Sequence, residues 1–354
     1  MGLPRSAYVI DGEVGVYHCF TRCVRRSFLC GFDTVTRRDY SHRKSWIVQR
    51  LRFLAGIFAI DVCAYAIMEN HYHTVLRTRP DIVQSWSDRD VAARWLTLFP
   101  NYYRNDALAD APTDRQISAL AANAVRIAQL RKRLSSISWF MGRLNECIAR
   151  AANKEDHLKG RFWESRFKCL PLLDTAAIAA CMVYVDLNPI RAGLAASPEQ
   201  SHFTSIQERI RSWHQSMPAR DSVPVENTEN PADTIPVSLP EDCPDSSAPW
   251  LCPIHLDGGG VLEMTGAQYL DLVDSSGRIL QSGKQHAIDA TLAPILLRMR
   301  INPEQWLDTV SRFESRFHLA AGLCCSLQAF ADRLGKKWLK GFAAARMAFA
   351  HAKA

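Results

Sequence analysis

Residues 64–77 read Ala-Tyr-Ala-Ile-Met-Glu-Asn-His-Tyr-His-Thr-Val-Leu-Arg, and this stretch constrains the chain more than any other. An apolar run breaks at Glu69-Asn70 and resumes at Thr74-Val75-Leu76, the pattern of two strands joined by a tight turn. His71 and His73 open the second strand. Side chains at i and i+2 of a strand share a face, so the two imidazoles stand side by side. That spacing suits two ligands of one divalent metal, and it equally suits a partly exposed pair at a strand edge.

The flanking sequence supplies the rest of a sheet. Residues 14–24 are β-rich and end among Arg22, Arg25 and Arg26, while residues 37–54 place Trp46, Ile47, Leu51 and Leu54 at helical spacing, with a basic outer face. A strand over 57–67 and the His strand over 71–77 follow. Strand, helix, strand, strand is the opening of an α+β fold, a ferredoxin-like or RRM-like antiparallel sheet with helices. Residues 81–158 read as a helical insertion in three pieces, 88–99, 114–134 and 137–152. Residues 161–173 form the last strand, in which Phe162 and Trp163 interleave with Arg161, Arg166 and Lys168. Such interleaving suits stacking on unpaired bases together with phosphate contacts, although Trp163 is as well placed for the core. A helix opens after Asp174-Thr175 as its cap and ends near Asn188-Pro189. Tyr184 and Asn188 stand one turn apart on it and share a face.

Composition then changes. Residues 216–260 are rich in Pro, Ser, Asp and Glu with little periodicity and read as a linker, after which helical periodicity returns over 261–354. The division is thus 1–215, linker, and a helical C-terminal module. Residues 1–220 hold 31 Lys and Arg against 20 Asp and Glu, a balance of +11, whereas 221–354 hold 12 against 16, a balance of −4. A polyanion partner therefore meets the front part. His18 and Arg22 lie on one face of the first strand, the face expected to meet that polyanion. The 11 cysteines lack a CxxC pair and read as reduced thiols, and neither a membrane span nor a signal region is evident, so a cytoplasmic protein is expected. Gly258-Gly-Gly260 lacks the Lys-Ser/Thr of a phosphate loop, so no nucleotide cofactor is expected.

Three separated stretches, 64–77, 160–168 and 180–194, resemble in kind and order the motifs of the single-tyrosine HUH transposases, specifically the REP-associated tyrosine transposases. The resemblance spans residues 12–211. It implies an HUH nuclease core in which His71 and His73 are metal ligands flanking Tyr72, Tyr184 is the nucleophile and Asn188 the third ligand. Glu69 stands where such proteins commonly have proline before the Asn, which bears on the turn. The resemblance further implies Mg²⁺ or Mn²⁺ as cofactor, single-stranded or hairpin DNA with REP-like palindromes as partner, a 5′-phosphotyrosine intermediate, and a bacterial, nucleoid-associated protein. An ion beside the phenol favours its ionisation. Two other readings use the same residues: a non-catalytic hairpin-binding or regulatory protein derived from a transposase, and a hydrolase in which water attacks. The second needs an acidic base beside the His pair, and Asp186 lies off the Tyr184 face.

Overall fold

The computed structural model describes residues 4–10, 12–24, 29–33, 37–100, 111–216, 250–282 and 292–349. Arg25 and Arg26 lie outside the described residues. The described residues include the strands β1 (Val16–Arg22), β2 (Phe32–Asp33), β3 (Arg38–Asp39), β4 (Ile60–Ile67), β5 (His71–Thr78) and β6 (Lys168–Leu172). Four of them form an antiparallel sheet in the order β4-β5-β1-β6, and β2 pairs with β3. With helices on both faces this is the expected α+β architecture.

The β4–β5 turn is as tight as the sequence implies. Ile67 pairs with Tyr72, and Met68 N–H donates to the His71 carbonyl at 2.9 Å, leaving Glu69 and Asn70 at the tip. Their carbonyls accept from Cys30 and Cys23, so the chain after β1 holds the turn. Glu69 in place of proline does not disturb it.

Alternation sorts the sheet into two faces. Tyr17, Cys19, Tyr72 and Leu76 point into a core shared with the helices Arg43–Ile57 and Ile137–Glu155. Val16, Val75, Leu170 and Leu172 point the other way, under the helix Thr175–Asp186. This helix is buried on every side from Ala176 to Asp186, as a helix apolar all round must be. Its small residues let it run between the sheet and the helices that follow residue 261. Asp174 caps it, accepting from Ala177 N–H at 3.0 Å, while its other oxygen accepts from Leu323 N–H at 2.6 Å. Gly322 has to be glycine here, because a Cβ would stand 2.8 Å from that Asp174 oxygen.

The helices after residue 261 share one hydrophobic core with the sheet and Thr175–Asp186. Leu251 bridges to Val62 at one sheet edge, and Ala321 bridges to Leu172 at the other. Both edges are thereby covered, which removes two templates for unwanted pairing. The boundary near residue 216 is a change of composition and not of packing. Asp186 adds a polar tie between these parts: fully buried, it accepts from Ser205 Oγ, Ile206 N–H and the Tyr269 hydroxyl, the last at 2.6 Å. Burial nevertheless pushes its carboxyl up to about 6, against the pull of these donors. Asp186→Ala orphans the buried Ile206 N–H and Tyr269 hydroxyl and leaves Ser205 Oγ only its longer bond to the Tyr65 carbonyl, and should cost about 3 kcal/mol or more in urea unfolding. A loss under about 1 kcal/mol would show that the tie is not needed.

Three local expectations are corrected. Residues 161–167 are irregular and only Lys168–Leu172 is strand. Residues 114–134 form two helices, Asp114–Ala121 and Ala124–Leu134, because the Asn123 side chain caps the second. The helix over 43–57 has no continuous basic outer face: Arg43 is fully buried between Glu155 and Asp156, and Arg52 pairs with Glu208. Among the described residues no helix is long and apolar enough to cross a membrane.

Candidate active site

Strand pairing places His71 opposite Arg22 and His73 opposite Phe20. The two His rings stand edge to face with centroids 4.9 Å apart, on the sheet face covered by Thr175–Asp186. His71 is half-buried and His73 is buried. Burial, reinforced by Arg22, holds the His71 imidazole down to about 4, and burial next to two other imidazoles holds His73 well below its usual range. Both rings are therefore neutral at physiological pH, the form that binds a metal.

Each ring has one nitrogen engaged. His71 Nδ1 meets Asn70 Oδ1 at 2.5 Å, and His73 Nδ1 meets His18 Nε2 at 2.9 Å. Nε2 is the remaining donor atom of both, and orienting partners of this kind are what metal-ligating histidines use. Here the reading of His18 as a DNA-facing residue is corrected. It is fully buried because its strand face lies under Thr175–Asp186, its ring stacks on His73 at 5.1 Å, and among the described residues its Nδ1 has no partner. His18 supports His73 and meets no solvent.

Tyr184 comes down from the covering helix onto this pair. Its ring meets His73 edge to face at 5.7 Å and His18 at 5.9 Å. The Tyr184 hydroxyl donates to Glu314 Oε2 at 3.0 Å. Burial first, and Glu314 second, push the phenol above its usual range, while the Arg191 guanidinium, 4.7 Å from the ring centroid, pulls it down. Asn188 opens the short helix Asn188–Arg191. It is 8% exposed, its Oδ1 accepts from Arg191 Nη1 at 3.3 Å, and its buried Nδ2 has no partner among the described residues. Two neutral imidazoles and an amide are a donor set that fits a divalent ion with open positions. Among the described residues no group of three or more His, Cys, Asp or Glu is arranged to hold a metal.

With this geometry in hand, comparison with known proteins adds little. No family model matches the chain, and no curated protein matches it. A solved structure described as the REP-associated tyrosine transposase bound to a REP hairpin aligns at 14% identity, covering 65% of this chain and 98% of that one, with a TM-score of 0.30. A likeness at that score decides neither fold nor chemistry, which rest on this chain's own residues.

The cations sort by position. Arg22 is exposed beside His71, and Lys168 is exposed opposite Phe20, its ammonium 5.2 Å from that ring. Phe162 and Glu164 exchange backbone hydrogen bonds with Val24 and Arg22, which brings the exposed Arg161 and Arg166 to the same end of the sheet as the His pair. Trp163 is core: it is half-buried and donates Nε1–H to the Asn145 carbonyl at 2.8 Å. Sequence reasoning missed two residues. Arg191 carried a signal, since it lies seven residues after Tyr184 and three after Asn188, on the same helical face. Glu314 carried none, being 130 residues from Tyr184.

Proposed function

We propose that this protein is a metal-dependent single-tyrosine transposase that cleaves and rejoins single-stranded, hairpin-containing DNA through a 5′-phosphotyrosine. The observation carrying this reading is the close approach of Tyr184 to a neutral, oriented His pair. His71 and His73 through Nε2, with Asn188, would hold Mg²⁺ or Mn²⁺, which supplies charge stabilisation at the scissile phosphate. Everything else falls to side chains of the chain itself. Tyr184 Oη attacks phosphorus in line, and the 3′-oxygen leaves. Arg191 lies where its guanidinium can take a non-bridging phosphate oxygen. Arg22, Arg161, Arg166 and Lys168 grip the strand at the open end of the sheet. The direct test incubates the protein with an end-labelled single-stranded hairpin and Mg²⁺, followed by denaturing gels. A covalent protein–DNA band is expected, and its absence with every divalent ion would refute the reading.

Substrate form follows from the same surface. Four phosphate contacts to a flexible strand give an affinity that falls about 50-fold between about 50 and about 200 mM salt. Hairpins with unpaired flanks should compete better than a blunt duplex in fluorescence anisotropy, and equal competition with a shallow salt slope would count against it.

A further inference from the structure

Tyr184 is carried by one element, and its hydroxyl is engaged by a remote one. The helix Trp306–Arg316 packs along Thr175–Asp186 through the fully buried Trp306, Val310 and Phe313. Trp306 Nε1–H donates to Ser276 Oγ at 2.8 Å, and the Phe313 ring lies 5.8 Å from that of Tyr184. This anchorage fixes Glu314, the next residue, with Oε2 3.0 Å from Tyr184 Oη. The cations nearest to Glu314 on its own helix are already engaged: Arg312 and Arg316 both pair with Asp308. Among the described residues Glu314 makes no ion pair, and the Tyr184 hydroxyl donates to its Oε2. The ionisable groups around the phenol are Glu314, Arg191, His18 and His73, and of these the carboxylate is the one that accepts its hydrogen bond.

We infer that Glu314 is a catalytic residue, the proton acceptor for Tyr184, and that the C-terminal helices are part of the catalytic unit. The inference rests on the transposase reading and adds a base to it. As the Tyr184 Oη–P bond forms, the hydroxyl proton passes to Glu314 Oε2. The P–O3′ bond breaks, the 3′-oxygen keeps that electron pair and takes a proton from water, and the Glu314 carboxylic acid releases its own proton to solvent. No other reactant is needed. A carboxylate already accepting the nucleophile's hydrogen bond is the geometry that general-base catalysis uses.

The test compares single-turnover adduct formation by the full-length wild type, Glu314→Gln, Glu314→Ala and Tyr184→Phe. Glu314→Gln keeps an acceptor oxygen of the same shape but cannot take the proton. It should slow the adduct about 100-fold. Hairpin Kd and Tm should stay near the wild-type values. Glu314→Ala should be equally slow and should be accelerated by added formate, which a purely structural role would not allow. A wild-type rate or a faster one in Glu314→Gln, or no formate rescue of Glu314→Ala, overturns the inference while leaving the transposase reading intact. Absence of any adduct from wild type overturns that reading, and Glu314 then has no reaction to serve.

Discussion

Tyr184→Phe should abolish the covalent protein–DNA adduct, lowering cleavage by about 10⁴-fold or more, with hairpin affinity unchanged. The ring stays, so its contacts with His18, His73 and Phe313 stay too. The lost group is one hydroxyl whose acceptor, Glu314, is only half-buried and turns to water, so stability should fall by no more than about 1 kcal/mol. The variant also separates the rival reactions. A water-using hydrolase would need an acidic base, and Glu314 stands beside the Tyr184 hydroxyl. If water is the nucleophile, Tyr184→Phe still cuts and leaves free ends. Cleavage at the wild-type rate in this variant would end the tyrosine mechanism, whereas loss of both cleavage and adduct, with binding retained, would end the hydrolase.

Replacing both His71 and His73 by Ala should remove metal binding and reduce cleavage to background, while salt-sensitive hairpin binding persists. Arg22, Arg161, Arg166 and Lys168 remain exposed in this variant and carry the phosphate contacts. The two positions differ in structural cost. His73 is buried against His18 and under Tyr184, so its truncation leaves a cavity and should cost about 2–4 kcal/mol. His71 is only half-buried, so His71→Ala alone should fold with a nearly wild-type Tm and still lose Mn²⁺ affinity in calorimetry. Unchanged Mn²⁺ binding and cleavage in the double variant would show that these imidazoles hold no ion.

How much of this was legible beforehand depends on how far apart the interacting residues lie in the chain. The Glu69-Asn70 break and the alternation around it specify the β4–β5 hairpin, because a turn and a period of two are local properties. They also set His71 and His73 on one face, which the 4.9 Å ring spacing realises. The Asp174 cap was local too and opens its helix where expected, but that helix ends at Asp186 and Asn188 opens the next short one instead of closing it.

Other features were decided only by tertiary packing. Position on a strand says which residues share a face but not which face is covered. His18 therefore reads as a surface residue until Thr175–Asp186 is laid over it, and it then becomes the support of His73. The basic residues over 43–52 read as a free cationic face until Glu155, Asp156 and Glu208 arrive from elsewhere to pair with Arg43 and Arg52. The polar stretch after residue 216 reads as the end of a domain, yet Leu251 and Ala321 return to the two sheet edges. Glu314 depends on all of this. Its place beside Tyr184 follows from a helix whose apolar stripe fits the buried face of Thr175–Asp186. Local periodicity specifies that stripe, and only the folded chain decides what it is pressed against.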